Sequence, residues 1–140
     1  MACAGNKAIG VCGGVNDNTL LLRQIHPNWI QDDVITSQAF TPTPKDSQEL
    51  SVYDGDQITP EQSWNHYTDT LKNVSAGVVA VAVSECKGAG TTARPDPEPF
   101  PQHAVIDFGS LSRSKTKKIG KILAKHARER GWQYQSGEPA

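Results

Sequence analysis

Cysteine is scarce in this sequence, and long hydrophobic runs are missing. The chain has three cysteines, Cys3, Cys12 and Cys86, an odd number without the CxxC spacing typical of zinc sites. We therefore expect neither a disulfide framework nor a zinc site, and we expect the reducing cytoplasm as the location. The longest early apolar run, residues 8–15, contains three glycines. It is too weak for a signal peptide and too short to cross a bilayer, so no membrane association is expected.

The overall composition predicts a small globular protein. Hydrophobic residues make up 36% and charged residues 21% of the 140 positions, which excludes collagen-like, coiled-coil and grossly disordered chains. A chain of this length suits one domain and can bury a core without a metal or a disulfide. We predict a flexible or irregular, glycine-rich N-terminal segment over residues 1–19, a single domain over residues 20–134 and a tail over residues 135–140.

Charge is unevenly distributed along the chain. Residues 1–110 carry 6 basic and 13 acidic side chains, whereas residues 111–140 carry 8 basic and 2 acidic ones. The net charge of -1 therefore combines an acidic body of -7 with a basic C-terminal segment of +6. The two parts can pair internally, or the basic part can face a polyanion.

Apolar and β-branched runs predict at least five strands. Bounded by proline, glycine or polar turn residues, the strands are expected at residues 20–25, 34–40, 50–53, 77–84 and 103–108, with a last short one at 132–134. Residues 87–102 are predicted to form a loop. Four alternating prolines in this segment, from 95 to 101, forbid a helix and favour an extended course.

Two helices complete the predicted architecture. A capping box with proline at the first helical position, at residues 59–62, predicts a helix over residues 60–72. Ser112 or Ser114 can cap a longer helix that ends near Arg130. The order of elements predicts the α+β class: a small, mostly antiparallel sheet of about five strands packed by two helices, one of them the long basic C-terminal helix.

One face of the C-terminal helix is predicted to be basic. Lys117, Lys121, Lys125 and Arg128 follow one another at i, i+4, i+8 and i+11 and therefore share a face. Such a row can follow a phosphate backbone, which makes a nucleic acid or an acidic protein the expected partner. The alternative is that this helix face is only exposed to solvent and that the acidic body partly compensates its positive charge. This alternative stands because the helix has no interleaved aromatic residue and no base-reading motif.

Polar side chains on or near the predicted strands form a second candidate site, made of Arg23, His26, Ser37, Glu85 and His103. An arginine on one strand, a serine on a second and a later glutamate resemble the outline of ADP-ribosyl transferases. The resemblance implies that Arg23 or His26 holds NAD and that Ser37 orders the pocket. Glu85 would then stabilise the oxocarbenium-like transition state by its charge. The alternative is that His26 and His103 are turn histidines that cap backbone groups.

Motifs for metals, cofactors and nucleophiles are missing. The four histidines have no metal-ligand spacing, and the Gly5–Gly10 pair lacks the lysine of a phosphate-binding loop. No GxSxG or SxxK motif occurs. Cys86 precedes Lys87, which could lower the pKa of the thiol, but a small cysteine after a buried strand is usually inert packing. We therefore expect neither a metal nor a cofactor.

Four segments of the chain resemble short, uncharacterised bacterial proteins. The segments are LLRQIHP, TSQAFTPTPKD, LSVYDGD and RPDPEPFPQHAVIDF, and the resemblance covers about residues 20–134. It implies a bacterial origin and one compact unit, and it carries over no functional residue.

These observations favour a small, soluble bacterial binding or accessory module, which contacts a nucleic acid or an acidic partner through its basic C-terminal helix. The alternative is a small enzyme that acts on a nucleotide-type substrate by ADP-ribosyl transfer or hydrolysis. In that enzyme, His26 or His103 is the acid or base, and Glu85 or Asp107 is the electrostatic partner. The two hypotheses differ in whether the polar groups converge, which depends on the tertiary structure.

Overall fold

The computed structural model describes residues 15–42 and 48–135 of the chain. Most of the predicted N-terminal segment and of the predicted tail therefore lies outside the described residues. Along the chain, the strands are β1 (Leu20–Ile25), β2 (Ile30–Gln31), β3 (Val34–Ile35), β4 (Glu49–Asp54), β5 (Gly77–Ala82), β6 (Thr92–Pro95), β7 (His103–Asp107) and β8 (Tyr134–Gln135).

Within the described residues, six of these strands form one antiparallel sheet. Their spatial order is β6-β7-β4-β1-β5-β8, and every pair of neighbours is antiparallel. β2 and β3 pair separately as a two-stranded ribbon. The prediction of an α+β domain with a mostly antiparallel sheet is confirmed.

In the part of the chain that the structure describes, three α-helices pack on this sheet: α1 (Pro60–Asn65), α2 (Val83–Ala89) and α3 (Arg113–Arg130). α1 begins with the predicted capping box at residues 59–62 and passes into a π-helical turn, His66–Thr70. α3 is the long basic helix, capped by the Ser112 hydroxyl, which accepts a hydrogen bond from the Lys115 amide at 3.2 Å.

The predicted strand over residues 34–40 is wrong beyond Ile35, where the chain turns into a 3₁₀-helix, Ser37–Phe40. The reason is that the adjacent residues Ala39 and Phe40 are both fully buried. Neighbours on a strand point to opposite faces, so a strand could not bury both against one helix. The 3₁₀ turn can bury both residues. The Thr41 hydroxyl stabilises this turn by donating a hydrogen bond to the Ser37 carbonyl at 2.8 Å.

The predicted loop over residues 87–102 is also partly wrong, since it contains the end of α2 and the whole of β6. The Glu85 carboxylate accepts a hydrogen bond from the Ala82 amide at 2.8 Å and so caps the start of α2. Gly90, with a φ of 105°, ends that helix in the left-handed region. β6 then pairs with β7 at the sheet edge, where a proline such as Pro95 is tolerated.

Alternation along the strands divides the core between the two faces of the sheet. Leu21, Val52 and Val79 belong to the larger cluster, which α3 covers with Leu123 and neighbouring residues. The residues next to them, among them Leu22, Tyr53 and Val78, belong to a smaller cluster covered by Trp64, Tyr67 and Phe100.

Gly120 lets α3 approach the Ser37–Phe40 turn closely. A Cβ atom added at Gly120 would lie 3.2 Å from the Phe40 carbonyl oxygen and 3.3 Å from the Ser37 carbonyl oxygen, and it would also collide with the Thr41 hydroxyl. The missing side chain therefore sets the distance between the basic helix and the neighbouring turn.

Candidate functional site

The four basic residues predicted to share a face of α3 lie exposed along the helix. Eleven helical positions from the first to the last correspond to about 16 Å. Within residues 15–42 and 48–135, none of the four forms an ion pair with an acidic side chain. Arg128 instead donates from Nη1 to the Ile35 carbonyl at 2.9 Å. In this part of the chain, the acidic body therefore does not neutralise the row through direct ion pairs.

Lys117 and Lys121 also line a groove of about 830 Å³ between α3 and residues 37–42. We call it the basic groove. A volume of this size is within the range of sites for small ligands. Cations on the helix side are combined with hydroxyl and amide groups on the other wall: the lining residues are Ser37, Gln38, Thr41, Pro42, Gln48, Arg113, Thr116, Lys117 and Lys121.

Thr116 places an unsatisfied hydroxyl in the wall of the basic groove. Its side chain is buried, with 4% of the residue exposed. Within the described residues, its Oγ1 atom has no hydrogen-bond partner. Buried polar atoms in proteins are nearly always hydrogen-bonded, and the exceptions often mark functional positions. Almost none of the Oγ1 surface is accessible, so the hydroxyl lies behind the wall of the groove and is closed to a ligand there.

Arg23 and His26, which belong to the predicted strand-end cluster, stabilise the backbone. Arg23 donates from Nε to the Ala39 carbonyl and from Nη1 to the Ser51 carbonyl, both at 2.8 Å, and it stacks on Trp29 at 5.0 Å. His26 accepts a hydrogen bond from the Asn28 amide at Nδ1, at 3.0 Å, and so caps a short 3₁₀ turn. This geometry corresponds to the turn-histidine alternative for His26.

Glu85 lies in the first turn of α2 and pairs with the end of the basic helix α3. Arg130 donates to both of its carboxylate oxygens, at 2.8 and 3.0 Å, and His126 lies 3.5 Å away. Burial acts to raise the pKa of Glu85, but the hydrogen bonds from Arg130 and from the Ala82 amide outweigh it and lower the pKa. Glu85 therefore connects α2 to α3 through its hydrogen bonds with Arg130.

The nearby Cys86 thiol is fully buried. Burial raises its pKa to about 12, against a lowering contribution from its hydrogen bond with Thr91. Such a thiol stays protonated at neutral pH and corresponds to the inert-packing alternative. Asp107, the other predicted electrostatic partner, lies at the end of β7, 3.8 Å from Arg94.

A second cavity, of about 410 Å³, opens on the sheet face covered by α1, and it is here called the polar-aromatic pocket. It brings together two residues of the predicted cluster, Arg23 and His103. The full lining is Leu22, Arg23, Gln24, Ser51, Val52, Tyr53, Tyr67, Leu71, Pro99, Phe100 and His103. His26 and Glu85 line neither this pocket nor the basic groove. Ser37 lines the basic groove but not this pocket.

His103 is held between two partners in this pocket. Its Nδ1 atom lies 2.9 Å from the Asp96 carbonyl oxygen and 3.4 Å from the Asp96 carboxylate. Its Nε2 atom lies 3.2 Å from the Ser51 hydroxyl. Because a carbonyl oxygen can only accept, Nδ1 must carry the proton in the neutral ring, and Nε2 must then accept from Ser51. One tautomer satisfies both contacts.

Phe100 packs against this histidine and connects it to an aromatic cluster. Phe100 packs on Tyr53, His66 and His103, with ring centroids 4.5 to 5.2 Å apart. The Tyr53 hydroxyl is 2.7 Å from Nδ1 of His66. Burial, followed by the proximity of Tyr67, raises the pKa of Tyr53, so the hydroxyl stays protonated. The rings form an apolar wall beside the Ser51–His103 pair.

The sequence reasoning missed Ser51, Asp96, Gln48 and Thr116. Alternation along β4 was a usable signal for Ser51, since it faces the same side as Tyr53, whose register partner is His103. Nothing in the local sequence connects Asp96 to His103 or Thr116 to Ser37, because these pairs are joined by the tertiary fold alone.

Metal ligands, membrane-spanning helices and similarity to known proteins complete the description of the site. In the described ranges, no group of three or more His, Cys, Asp or Glu side chains could hold a metal ion, and no helix is long and apolar enough to span a membrane. The chain matches no protein-family model, no curated protein and no solved structure. The resemblance to short bacterial proteins therefore stays a prediction.

Proposed function

We propose that this protein is a binding module for nucleic acid, which it holds through the basic row of α3 and the adjacent basic groove. The observation that carries the proposal is that the row and the groove are continuous. Lys117 and Lys121 belong to both, so a strand that follows the row passes the mouth of the groove. The row spans about 16 Å, over which one strand of duplex DNA carries about five phosphates.

The chemistry of the groove favours nucleic acid over an acidic protein. An acidic peptide offers carboxylates, which need only the cations. A nucleic acid also offers base edges with donors and acceptors, for which amides are common partners. Gln38 and Gln48 lie in the same groove as the cations. Mixed cationic and amide linings of this kind suit a phosphate with a base attached.

We place this module in the cytoplasm of a bacterium. The odd number of cysteines, without paired spacing, supports a reducing compartment. The buried, unpaired Cys86 thiol is consistent with that setting. The bacterial origin rests on the four segments that resemble short bacterial proteins.

The alternative function, a transfer or hydrolysis reaction on a nucleotide-type substrate, receives less support. It requires Arg23, Ser37 and Glu85 to surround one substrate. In the described part of the chain, these residues lie in the polar-aromatic pocket, the basic groove and the α2–α3 contact, respectively.

Fluorescence anisotropy with a short, labelled single-stranded oligonucleotide tests the proposal. We expect saturable binding that Lys117→Glu weakens at least about tenfold, because a charge reversal removes one phosphate contact and repels the strand. His26→Ala should leave the affinity unchanged, since His26 lies outside the groove. Lys72→Glu is the matched control, because it changes the net charge equally but lies outside α3.

Three outcomes would overturn the proposal. The first is no binding of DNA or RNA at low salt, and the second is equal loss of affinity in Lys117→Glu and Lys72→Glu. The third is tighter binding of polyglutamate than of the oligonucleotide, which would identify an acidic protein as the partner instead.

A further inference from the structure

We propose that the polar-aromatic pocket is a second, independent site, in which Ser51 is a nucleophile that cleaves small uncharged esters and His103 is its general base. The proposal does not depend on nucleic-acid binding, because the pocket and the basic groove share no lining residue.

The hydrogen bonds of His103 prepare Ser51 for attack. The contact between Nδ1 and the Asp96 carbonyl fixes the tautomer that leaves Nε2 unprotonated. That atom lies 3.2 Å from the Ser51 Oγ atom, within reach for proton transfer in a free enzyme. A serine next to a base that a third group orients is the arrangement that activates hydroxyl nucleophiles.

The charge that develops on His103 also has a partner. Once the ring takes the serine proton it becomes an imidazolium, and the Asp96 carboxylate lies 3.4 Å from its Nδ1 atom. Opposite charges at this distance stabilise each other, the more so because only 11% of the His103 side chain is exposed. Asp96 is thus a positioning residue.

Two adjacent strands hold the pair rigidly. Ser51 lies on β4 and His103 on β7, and Tyr53, which pairs with His103 in the register, lies two residues along from Ser51 on the same face. Side chains on neighbouring strands of a sheet keep their separation better than side chains on loops. Ser51 is exposed, so a ligand in the pocket can reach its hydroxyl.

The lining of the pocket selects the substrate class. Leu22, Leu71, Pro99 and Phe100 supply apolar surface, and the volume of about 410 Å³ fits a small molecule. Tyr67 belongs to the same lining, and a tyrosine hydroxyl is a donor for a carbonyl oxygen. These features suit a small aryl or alkyl ester without charge.

The reaction balances without a cofactor. Ser51 Oγ forms a bond to the ester carbonyl carbon while its proton passes to Nε2 of His103. The ester C–O bond then breaks, and the leaving alcohol takes that proton. Water, with His103 again as base, adds to the acyl-serine and releases the carboxylic acid, which restores the Ser51 hydroxyl.

Labelling of the full chain with a fluorophosphonate probe tests the inference, with intact-mass and peptide mass spectrometry as the readout. In this reaction Oγ displaces fluoride from phosphorus, so a single adduct is expected, on Ser51. Hydrolysis of an aryl acetate measures turnover in parallel. Ser51→Ala should abolish both signals, and Ser110→Ala, the change of another exposed serine, should leave both intact.

His103→Gln should slow labelling at least about 100-fold, because a general base contributes a factor of 10² to 10⁴. If this variant unfolds by circular dichroism, His103→Asn serves instead, since its amide can still donate to the Asp96 carbonyl. An adduct absent from Ser51, or labelling that neither histidine variant slows, would overturn the inference. Neither result would affect the oligonucleotide binding of the basic groove.

Discussion

At the scale of single residues, Thr116 carries a buried hydroxyl for which the described part of the chain offers no hydrogen-bond partner. Burying such a group without a partner costs about 1–3 kcal/mol of folding free energy. Because almost none of the Oγ1 surface is accessible, a ligand in the basic groove does not offset that cost.

Thr116→Val keeps the shape of the side chain and removes the hydroxyl. We expect the free energy of unfolding to rise by about 1 kcal/mol, because an unpaired buried polar atom disappears. The affinity for the oligonucleotide should stay unchanged, since the buried Oγ1 atom is closed to the groove. Urea unfolding and anisotropy titration measure the two effects. Lower stability would show that the hydroxyl has a hydrogen-bond partner in the fold, and lower affinity would show that it contacts the ligand.

At the scale of secondary-structure elements, the contact between α3 and the Ser37–Phe40 turn forms one side of the basic groove. Gly120→Ala tests this contact. Helix propensity alone would favour alanine by about 1 kcal/mol, but the new methyl group meets the Thr41 hydroxyl and two carbonyl oxygens. Overpacking of this kind typically costs about 1–3 kcal/mol. We therefore expect a net loss of stability, together with weaker oligonucleotide binding.

Gly88→Ala in α2 is the matched control for that variant. A Cβ atom at Gly88 meets nothing within 4 Å, so helix propensity acts there without a steric penalty. We expect Gly88→Ala to stabilise the protein by up to about 1 kcal/mol in the same urea unfolding experiment. If Gly120→Ala behaved in the same way, the close approach of α3 to the turn would be refuted.

The contact between α2 and α3 predicts a pH dependence. The folded-state pKa of Glu85 is lowered from its ordinary value of 4.5. Its contribution to stability is therefore complete above that ordinary value and is lost as the pH falls through the lowered pKa. Glu85→Gln should destabilise the protein by about 1 kcal/mol at pH 7, the upper end for solvent-screened ion pairs.

The difference between Glu85→Gln and the natural chain should shrink as the pH approaches the lowered pKa, because the natural carboxyl then becomes neutral as well. Unfolding midpoints in urea, measured for both proteins from neutral to acidic pH, check this expectation. A difference that stays constant over the whole range would mean that the Arg130–Glu85 pairing contributes nothing through charge.

At the scale of the whole molecule, most of the basic side chains are concentrated in one helix, apart from most of the acidic ones. The net charge is only -1, yet 8 of the 14 Lys and Arg residues lie in α3. A near-neutral protein with one basic face should bind polyanions locally and with a steep salt dependence. If the four residues of the row each contact a phosphate of a single strand, log K should fall with log salt with a slope of about -3. A slope near zero would contradict the proposed function.

Much of the fold could be predicted from local patterns. β1, β4, β5, β7 and α3 appear close to their predicted positions, because each has a periodicity that matches its own burial. β6 and the end of α2 could not be predicted in this way. β6 alternates only between exposed and half-buried residues at the sheet edge, so its formation depends on pairing with β7.

The same contrast holds for the candidate sites. The basic row follows from helical spacing, which places i, i+4, i+8 and i+11 on one face wherever the helix lies. Local patterns were therefore enough to predict the class of fold, the main strands and the existence of a cationic helix face. Only the tertiary structure decided that Lys117 meets the Ser37 turn across a groove and that Ser51 meets His103. The physical reason is that these partners are dozens of residues apart, and sheet register and helix packing, not local propensity, set their separation in space.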